Sequence, residues 1–284
     1  MTEEKAYAKL NISLDVLSKR EDGYHELRMI MQSISICDTV FIEQDTSGII
    51  SSSSNFGYIP GDIKNLAVAA ASLFFEEARI KDGLRIRLDK KIPVGSGMAG
   101  GSSDAAAVLR ALDRLYPGAL ERDRLFEIAN KVGSDVAFCL EGGTCLAEGR
   151  GEKLSKLPPL PDCFIAVCKP SFSLSTPEMY RRLDHIRRVF HPDTEGIITA
   201  LGKSDLPGVS RRMYNVFEDV GGREFNTVKE IKNTFLEEGA LGTVMTGSGS
   251  AVFGVFDKEK SAAYAVEKLK NTYPFSALAV PVNN

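Results

Sequence analysis

Alternating apolar and polar residues predict a strand-rich start to the chain. The alternation covers Ala6–Leu14, Met29–Ile36 and Thr39–Glu43, and the polar loop Ser18–Glu26 joins the first two strands. A further strand is predicted over Gly83–Lys91, where leucine and isoleucine alternate with charged residues. Because the side chains of a strand point alternately to its two faces, each of these segments has one face suited to burial.

Apolar residues at helical spacing predict helices in the same half of the chain. The first covers Asp62–Ala78 and starts with an aspartate, a residue type that often caps helices. Two more cover Ser103–Tyr116 and Arg122–Val132, the second followed by a glycine. The low-complexity run Ser51–Ser54 is interpreted as the tip of a loop.

A proline cluster divides the chain into two predicted domains, residues 1–157 and 158–284. Pro158, Pro159 and Pro161 fit neither a helix nor a sheet interior, and 284 residues are many for one compact core. The pattern beyond the prolines is that of a small α+β layer. Its predicted strands are Phe164–Cys168, Thr243–Met245, Ala251–Phe256 and Ala277–Val282, and its predicted helices are one from about Thr176, Thr227–Glu238 and Lys258–Thr272.

Composition and charge exclude several classes of protein. With 43% hydrophobic and 26% charged residues, the chain has the composition of a globular protein and not of a disordered one. Its formal net charge of −3 argues against a general nucleic-acid binder. Residues 1–9 lack an apolar signal core, and no run approaches the roughly 20 apolar residues that span a membrane. We therefore expect a cytoplasmic protein that binds neither nucleic acid nor membrane.

The cysteines and histidines offer little material for a metal site. The five cysteines form no CxxC pair, and the three histidines form no HExxH motif. We expect buried, reduced thiols and no metal ion held by protein side chains of these types.

The segment from Pro93 to Asp104 carries the clearest chemical signal. Its sequence, Pro-Val-Gly-Ser-Gly-Met-Ala-Gly-Gly-Ser-Ser-Asp, runs from a predicted strand into a predicted helix. The glycines permit backbone conformations and close approaches that a Cβ would block. Ser102 and Ser103 stand where a helix cap belongs, so N–H groups at the helix start are expected to face an anion such as phosphate. The two hydroxyls are also candidates to contact a phosphate or a magnesium ion.

Three other interpretations of this segment compete with a phosphate loop. A plain turn between a strand and a helix also uses glycine. Gly95, Gly97 and Gly100 match the letters of a dinucleotide-binding fingerprint, but no strand with a closing acidic residue follows about 20 positions on. A Walker-type loop needs Lys-Ser/Thr after the glycines, and this segment lacks that pair.

Two charged residues and a second glycine segment are further candidates, and each also has a plain structural interpretation. Asp135, which follows a glycine closely, is either a helix cap or a placed base. Lys9 lies within the first strand, where a lysine usually faces solvent. Gly247–Ser250 is either a hairpin turn or a nest of amides near phosphates. A kinase of small alcohols needs a group that takes the hydroxyl proton and cations that offset phosphate charge.

Taken together, Lys9, the run Pro93–Ala107, Asp135 and Gly247–Ala251 resemble the three motifs of the GHMP kinase superfamily, in their usual order. The resemblance covers nearly the whole chain. It implies a two-domain α+β fold, with a ribosomal-S5-like N-terminal domain and a ferredoxin-like C-terminal domain. The stretch Asp22–Glu26 resembles one branch of the superfamily, and mevalonate, homoserine and galactose kinases do not share it.

This narrower resemblance implies a reaction. ATP, with Mg²⁺, would phosphorylate the 2-hydroxyl of 4-diphosphocytidyl-2-C-methyl-D-erythritol in the non-mevalonate route to isoprenoids. Asp135 would be the general base, and Lys9 would hold the carboxylate and the hydroxyl in register. His25 would hydrogen-bond to the cytosine edge, with Tyr24 stacked on one face of the base and Tyr180 on the other.

The resemblance also implies two sets of binding residues. Those for ATP are Asn65, Pro93, Val94, Gly95, Ser96, Gly97, Met98, Ala99, Gly100, Gly101, Ser102 and Ser103. Those for the acceptor, a small molecule that carries cytidine diphosphate, are Asn11, Tyr24, His25, Thr176, Tyr180, Gly247 and Ser248. Asn65 would lie near the adenine, and Asn11 beside the two catalytic residues.

The loop departs from the commoner family spelling at Gly95-Ser96 and at Met98-Ala99. Ala99 restricts the backbone if that position needs a positive φ. Two alternatives stay open at this point: another GHMP kinase, acting on mevalonate, phosphomevalonate or homoserine, and a non-catalytic member that binds nucleotide. We expect a monomer or a weak homodimer.

Overall fold

Strands and helices alternate through the computed structural model, which describes residues 1–186 and 190–283. The strands are β1 (Thr2–Lys19), β2 (His25–Asp45), β3 (Ile50–Ser54), β4 (Gly83–Asp89), β5 (Thr144–Gly149), β6 (Lys153–Lys156), β7 (Phe164–Lys169), β8 (Tyr214–Asn215), β9 (Gly242–Met245), β10 (Val252–Phe256) and β11 (Phe275–Ala279). The helices are α1 (Leu66–Ala78), α2 (Gly100–Leu115), α3 (Arg122–Val132), α4 (Ser134–Glu141), α5 (Thr176–Leu183), α6 (Thr194–Gly202), α7 (Leu206–Ser210), α8 (Glu224–Glu237) and α9 (Glu259–Lys270), with a 3₁₀ helix at Val216–Val220.

The chain forms two units, and each unit consists of several chain segments. The first contains Met1–Ala8, Cys37–Ile92 and Ala99–Glu141, and the second contains Lys9–Ile36, Pro93–Met98 and Gly142–Asn284. Strands β1 and β2 therefore supply residues to both units. The domain bounds 1–157 and 158–284 stay a prediction.

In the first unit, strands pair beside a group of packed helices. β4 pairs antiparallel with the second half of β2 and parallel with β3, where Ile50 lies opposite Leu84. Helix α1 packs against α2, and α2 packs against α4. These contacts bury large apolar side chains such as Phe74, Leu112 and Phe138. Their burial supplies the hydrophobic stabilisation of this unit.

In the second unit, four antiparallel strands form a sheet in the order β11-β7-β10-β9. Along the chain the pattern is strand, helices ending with α8, two strands, helix α9 and a last strand, which is the β-α-β-β-α-β arrangement of ferredoxin-like layers. Helix α8 packs on β10 and α9 on β7, which buries Ile231, Phe235 and Phe256. The ferredoxin-like layer is the one expected for the C-terminal part.

Some predicted elements are confirmed and others need correction. The helix Arg122–Val132 is confirmed at both ends. The loop-tip interpretation of Ser51–Ser54 is wrong, because these serines belong to β3, whose backbone pairs with β4. Strand β2 is continuous where two strands were predicted. The cap of α1 is Asn65 and not Asp62, because the Asn65 side chain accepts a hydrogen bond from the Ala67 N–H over 3.0 Å.

Candidate active site

Two polar side chains lie next to each other on one face of β1. Lys9 and Asn11 are two positions apart, so an extended strand directs both to the same side. The Lys9 ammonium donates a hydrogen bond to the Asn11 side-chain oxygen over 2.7 Å. Lys9 is only 4% exposed, so the interpretation of it as a solvent-facing lysine is wrong. A buried ammonium needs polar partners to offset its lost hydration, and Asn11 supplies one.

Asn11 also holds the glycine turn between β9 and β10. Its side-chain oxygen accepts a hydrogen bond from the Gly247 N–H over 3.0 Å, and its backbone N–H donates to the Thr246 hydroxyl over 3.1 Å. Gly247 has φ +57°, and a Cβ there would lie 2.9 Å from the carbonyl oxygen of Gly97. One asparagine therefore fixes both the position of Lys9 and the position of the turn.

A second asparagine, which the sequence analysis missed, braces the same turn. The side-chain nitrogen of Asn215 in β8 donates to the carbonyl oxygens of Met245 over 2.7 Å and Gly247 over 2.8 Å. Its side-chain oxygen accepts from the Phe217 N–H over 3.0 Å. A lone asparagine in a strand of only two residues carries no sequence signal of such a role.

The segment Gly247–Ser250 connects two paired strands, so its interpretation as a hairpin turn is confirmed. Two of its N–H groups donate within the protein. Gly247 donates to Asn11, and Gly249 donates to the carbonyl oxygen of Thr246 over 3.0 Å. The amide-nest interpretation stays a prediction, and it falls on the remaining positions Ser248 and Ser250.

The first half of the glycine loop packs against this turn. Gly97 has φ +80°, and a Cβ there would lie 2.2 Å from a carbonyl oxygen of the turn, so only glycine permits the approach. The Lys9 N–H donates to the carbonyl oxygen of Met98 over 3.2 Å, and the Ala251 N–H donates to that of Ser96 over 3.1 Å. The strand that carries Lys9 therefore runs directly beside the loop.

The second half of the loop begins α2, three residues earlier than predicted. Ala99 is the N-cap residue and has φ +59°, so the positive φ that was in question at this position is present. Ser103 is not a cap, because its hydroxyl lies inside the first unit, 2.7 Å from the carbonyl oxygen of Tyr7. The N–H groups of Gly100–Ser102 stand at the helix start, where no carbonyl of the helix reaches them and the helix dipole favours an anion.

A buried lysine outside the predicted motifs shapes the segment next to the loop. Lys169, at the end of β7, donates over 3.0 Å to the carbonyl oxygen of Phe172 and equally to that of its own neighbour in sequence. Burial lowers the pKa of this ammonium. The Ser250 hydroxyl donates to the same Phe172 carbonyl over 2.5 Å. Ser173 then lies against the loop, since a Cβ on Gly95 would come within 2.6 Å of its hydroxyl.

His25 is held between an aromatic ring and a carboxylate. Its ring stacks on Tyr180 with 4.5 Å between centroids and 17° between planes. Tyr180 in turn packs against Phe217 in an edge-to-face arrangement, with 5.0 Å between centroids. His25 Nε2 lies 2.7 Å from a carboxylate oxygen of Asp184, whose other oxygen accepts from Lys19 over 2.7 Å. These hydrogen bonds, first from Lys19 and then from His25, lower the pKa of Asp184. Sequence analysis predicted His25 and Tyr180 but missed Asp184.

Two more predicted acceptor residues lie in the second unit. Tyr24 is 58% exposed, and the guanidinium of Arg150 lies 5.0 Å from its ring centroid, a cation–π distance. Thr176 is the first residue of α5, and its hydroxyl lies 2.7 Å from that of Ser248 in the glycine turn. The helix that carries Tyr180 is thereby joined to the turn that Asn11 holds.

Two further predicted residues, Asp135 and Asn65, belong to the first unit, whereas Pro93 and Val94 belong to the second. Asp135 is the second residue of α4, half-buried, and the turn that starts this helix is closed by a 3.0 Å hydrogen bond from the Val136 N–H to the Gly133 carbonyl oxygen. It therefore lies inside the first helical turn and not at the cap position before it. Asn65 uses its whole side chain within the unit, since its nitrogen donates to Ser52 and to a carbonyl oxygen while its oxygen caps α1. Its contact with adenine stays a prediction.

Two family descriptions match the chain: "GHMP kinases N terminal domain" over residues 65–143 and "GHMP kinases C terminal" over residues 197–274. A 4-diphosphocytidyl-2-C-methyl-D-erythritol kinase of Clostridium perfringens is 46% identical over 272 residues, which cover 96% of this chain and 94% of the relative. The kinase of that name from Clostridium botulinum is 44% identical over 269 residues, covering 95% and 96%. The chain belongs to the 4-diphosphocytidyl-2-C-methyl-D-erythritol kinase family of GHMP kinases. The resemblance seen in the sequence is confirmed.

Solved structures agree with this assignment. A crystal structure of a 4-(cytidine 5'-diphospho)-2C-methyl-D-erythritol kinase matches with a TM-score of 0.85 and 35% identity over 100% of both chains. A homoserine kinase from Cytophaga hutchinsonii matches with a TM-score of 0.76 at 20% identity, which is a likeness of fold alone. The predicted GHMP kinase fold and the class of ATP-dependent small-molecule kinase are confirmed. Over residues 1–186 and 190–283, this GHMP kinase has no helix with the length and apolar character needed to cross a membrane.

Proposed function

We propose that this GHMP kinase transfers the γ-phosphoryl group of ATP to the 2-hydroxyl of 4-diphosphocytidyl-2-C-methyl-D-erythritol, a step of the methylerythritol phosphate route to isoprenoids. The observation that carries the proposal is the hydrogen bond from the Lys9 N–H to the Met98 carbonyl oxygen, which keeps a buried lysine beside the glycine loop. The names of relatives 43% to 46% identical to this chain support the choice of acceptor.

The glycine loop, residues 93–103, is the proposed site of the ATP phosphates. Its glycines have no Cβ, so its backbone can approach a phosphate closely. Its last residues start a helix whose N–H groups attract anions. Asn65 is proposed to lie near the adenine. Because its side chain is already used within its own unit, any contact with the base falls to its backbone or to a neighbouring residue.

Asp135 and Lys9 are the proposed catalytic residues. A carboxylate accepts the proton of the 2-hydroxyl as its oxygen attacks the γ-phosphorus, and an ammonium offsets the negative charge that grows on the transferred group. The hydrogen bond to Asn11 supports this role for Lys9, because it restricts the long lysine side chain to one geometry. The position of Asp135 in the first turn of α4 supports its role, since helix N-termini favour negative charge.

His25 is the proposed reader of cytosine. If its Nε2–H donates to the Asp184 carboxylate, its Nδ1 carries a lone pair that accepts from the cytosine amino group. Tyr24 then stacks on one face of the base. Tyr180 is proposed to stack on the other face. Its ring also lies against the His25 ring, with 4.5 Å between centroids, and this contact supports the orientation of both rings. Thr176, Gly247 and Ser248 complete the proposed acceptor site.

Magnesium is proposed to enter with ATP. The residues that the structure describes include no group of three or more His, Cys, Asp or Glu side chains able to hold a metal ion. Mg²⁺ commonly keeps several water ligands and binds through substrate phosphates with few protein groups. Ser102, half-buried at the start of α2, is the proposed protein ligand, whereas the hydroxyl of Ser103 points to Tyr7. When bound, the ion would neutralise charge on the β- and γ-phosphates.

The test is ADP release with ATP, Mg²⁺ and one of four acceptors: 4-diphosphocytidyl-2-C-methyl-D-erythritol, mevalonate, phosphomevalonate or homoserine. Turnover of the first acceptor alone, with competition by free cytidine nucleotides, is the expected result. Turnover of another acceptor would discard the substrate and keep the phosphoryl transfer. ATP binding without turnover of any of them would favour a non-catalytic member of the family.

A pair of matched variants tests the base. Asp135→Asn is expected to lower kcat by about 10²–10⁴-fold, the usual contribution of a general base. Asp123→Asn is the control, because Asp123 is the second residue of α3 as Asp135 is of α4, so both changes remove the same favourable charge from a first helical turn. Equal, small effects of the two changes would reduce Asp135 to a helix-stabilising residue.

We also propose that the protein works in the cytoplasm as a monomer or weak homodimer. Fractionation of the native host and light scattering over a range of concentrations test these two points. A stable larger assembly or recovery outside the cytoplasm would contradict them.

A further inference from the structure

A buried lysine in the first unit holds two aspartates. Lys90 follows β4 by one residue and is 5% exposed, and Asp38 and Asp104 are 0% and 2% exposed. The Lys90 ammonium donates to a carboxylate oxygen of Asp104 over 2.5 Å and also to a carboxylate oxygen of Asp38. We call these three residues the buried triad. The proposed mechanism does not use it, although Asp104 lies within the run Pro93–Ala107.

The triad is attached to the backbone immediately before the glycine loop. The second oxygen of Asp38 accepts hydrogen bonds from the N–H of Lys91 over 2.5 Å and of Ile92 over 2.8 Å. These are the last two residues before Pro93, where the loop starts. Asn55 adds to this anchor, because its side chain bonds both the N–H and the carbonyl oxygen of Lys90.

The same triad is attached to the backbone at the start of α2, in the second half of the loop. The Lys90 ammonium donates over 3.2 Å to the carbonyl oxygen of Gly100, the first residue of α2, and Asp104 belongs to the same helix. A Cβ on Gly100 would lie 3.3 Å from the Lys90 nitrogen and 3.1 Å from a methyl of Ile92, so the glycine is what allows this packing. The helix has no side-chain cap at Ala99, so the triad supplies the anchoring that a cap normally provides.

From this arrangement we infer that Lys90 is a positioning residue, which ties both ends of the phosphate loop to one buried charge and so sets its shape for ATP. Without the triad, the seven residues from Pro93 to Ala99 would join two independently mobile ends, with three positive-φ positions, Gly95, Gly97 and Ala99, to absorb the movement. An ordered loop pays less entropy on binding a phosphate chain than a loop that must first be ordered. This inference rests on the proposed role of the loop in binding ATP phosphates.

Substitutions in the buried triad are expected to upset the balance between its one ammonium and two carboxylates. Two carboxylates share one ammonium in a place without water access, and burial raises the pKa of Asp104 to about 7. One oxygen of Asp104 accepts no hydrogen bond among the residues that the structure describes. Removing Lys90 would leave two buried acids without their shared cation, so a second variant, Asp38→Asn, is needed in case Lys90→Met does not fold. The asparagine keeps the side-chain shape and loses the ion pair.

The experiment is calorimetric titration of the full chain with ATP and, separately, with adenosine, without any acceptor. For Lys90→Met and Asp38→Asn we expect the Kd for ATP to rise about tenfold or more and the Kd for adenosine to stay within about twofold, because only phosphates contact the loop. The control is Ile231→Ala, a cavity variant in α8 that lowers Tm without touching the loop.

Three outcomes would overturn the inference: an unchanged Kd for ATP, an equal rise for ATP and adenosine, or the same ATP loss in Ile231→Ala at an equal fall in Tm. Because the readout is binding and not turnover, it is separate from the test of the acceptor. A parent protein that binds ATP but phosphorylates none of the acceptors would defeat the proposed function and leave this inference standing.

Discussion

The side-chain oxygen of Asn11 accepts a hydrogen bond from the backbone N–H of Gly247 over 3.0 Å, although the two residues are 236 positions apart in the chain. The same oxygen accepts from the ammonium of Lys9 over 2.7 Å. The proposed catalytic lysine and the glycine turn therefore share one acceptor atom. A change in either partner is transmitted to the other through this single amide.

Replacing Asn11 is expected to affect both stability and catalysis. Asn11→Leu leaves the Gly247 N–H and the Lys9 ammonium without their shared acceptor, so we expect the free energy of unfolding to fall by about 3 kcal/mol. Urea unfolding measures this loss. Activity at a temperature where the variant is folded is expected to fall by at least about tenfold, because Lys9 loses an acceptor that orients its ammonium.

The matched control is Asn215→Leu. Asn215 is equally buried and braces the same turn through the Gly247 carbonyl oxygen, whereas Asn11 accepts the hydrogen bond from the Lys9 ammonium. We expect a similar loss of stability and a smaller loss of kcat. An equal loss of kcat in both variants would assign Asn11 to the turn and not to the lysine.

Asp184 is expected to act on the acceptor and not on ATP. Asp184→Asn removes the carboxylate that orients His25, so we expect the KM for the cytidine-bearing acceptor to rise about tenfold with little change in the KM for ATP. Steady-state kinetics with each substrate varied in turn measures this difference. His25→Ala is expected to show the same pattern, more strongly.

Lys19→Met is the control for this prediction, because it removes the other partner of Asp184 and leaves the bond to His25. Its acceptor KM is expected to change less than that of Asp184→Asn. If Asp184→Asn and His25→Ala raised both KM values alike, the contacts of His25 with Asp184 and Tyr180 would have a structural role only.

The protein is expected to become more stable when Ala99 is replaced by glycine. Its φ of +59° is unfavourable for a residue with a Cβ, by about 1–2 kcal/mol, and glycine adopts it freely at some entropic cost. We therefore expect Ala99→Gly to raise the free energy of unfolding by about 0.5–1 kcal/mol. Arg79→Gly is the matched comparison, since Arg79 has φ +56° at the end of α1, far along the chain from the loop. A loss of stability at Ala99 alone would mean that its methyl group is needed for packing.

The stability of the protein is expected to depend on pH through Asp104. Burial raises the pKa of this carboxyl to about 7 in the folded state, whereas an unfolded chain has the ordinary value of 3.8. Between these two values the folded state binds a proton that the unfolded state does not, so this group makes the protein less stable as pH rises.

Asp104→Asn removes that proton and its pH dependence. Relative to the parent, the variant is expected to gain about 2–3 kcal/mol in free energy of unfolding between pH 5 and pH 8. Urea unfolding of both proteins at the two pH values measures the difference. A constant difference between the proteins would show that Asp104 stays ionised in the folded state and that Lys90 outweighs the cost of burial.

Local sequence patterns were sufficient for much of the fold. Helix α3 was predicted at both ends, and the positions of β7, β9, β10 and α9 were predicted from the apolar residues that these elements carry. β3 was missed because four consecutive serines show no apolar alternation, and its pairing with β4 is a property of the backbone alone. The short helices α4, α6 and α7 were missed because they have too few turns to show the helical spacing of apolar residues.

The sequence by itself determined which chemistry is available: a glycine loop before a helix, a lysine in a strand, an aspartate after a glycine, and a histidine in a stretch typical of one family. Only the tertiary structure decided what holds these groups in place. The Asp184 partner of His25 is 159 positions away, the Asp38 partner of Lys90 is 52 away, and the Gly247 partner of Asn11 is 236 away. Periodicity reports only on residues within a few turns of one another, whereas a buried polar group needs a partner from wherever the fold brings one.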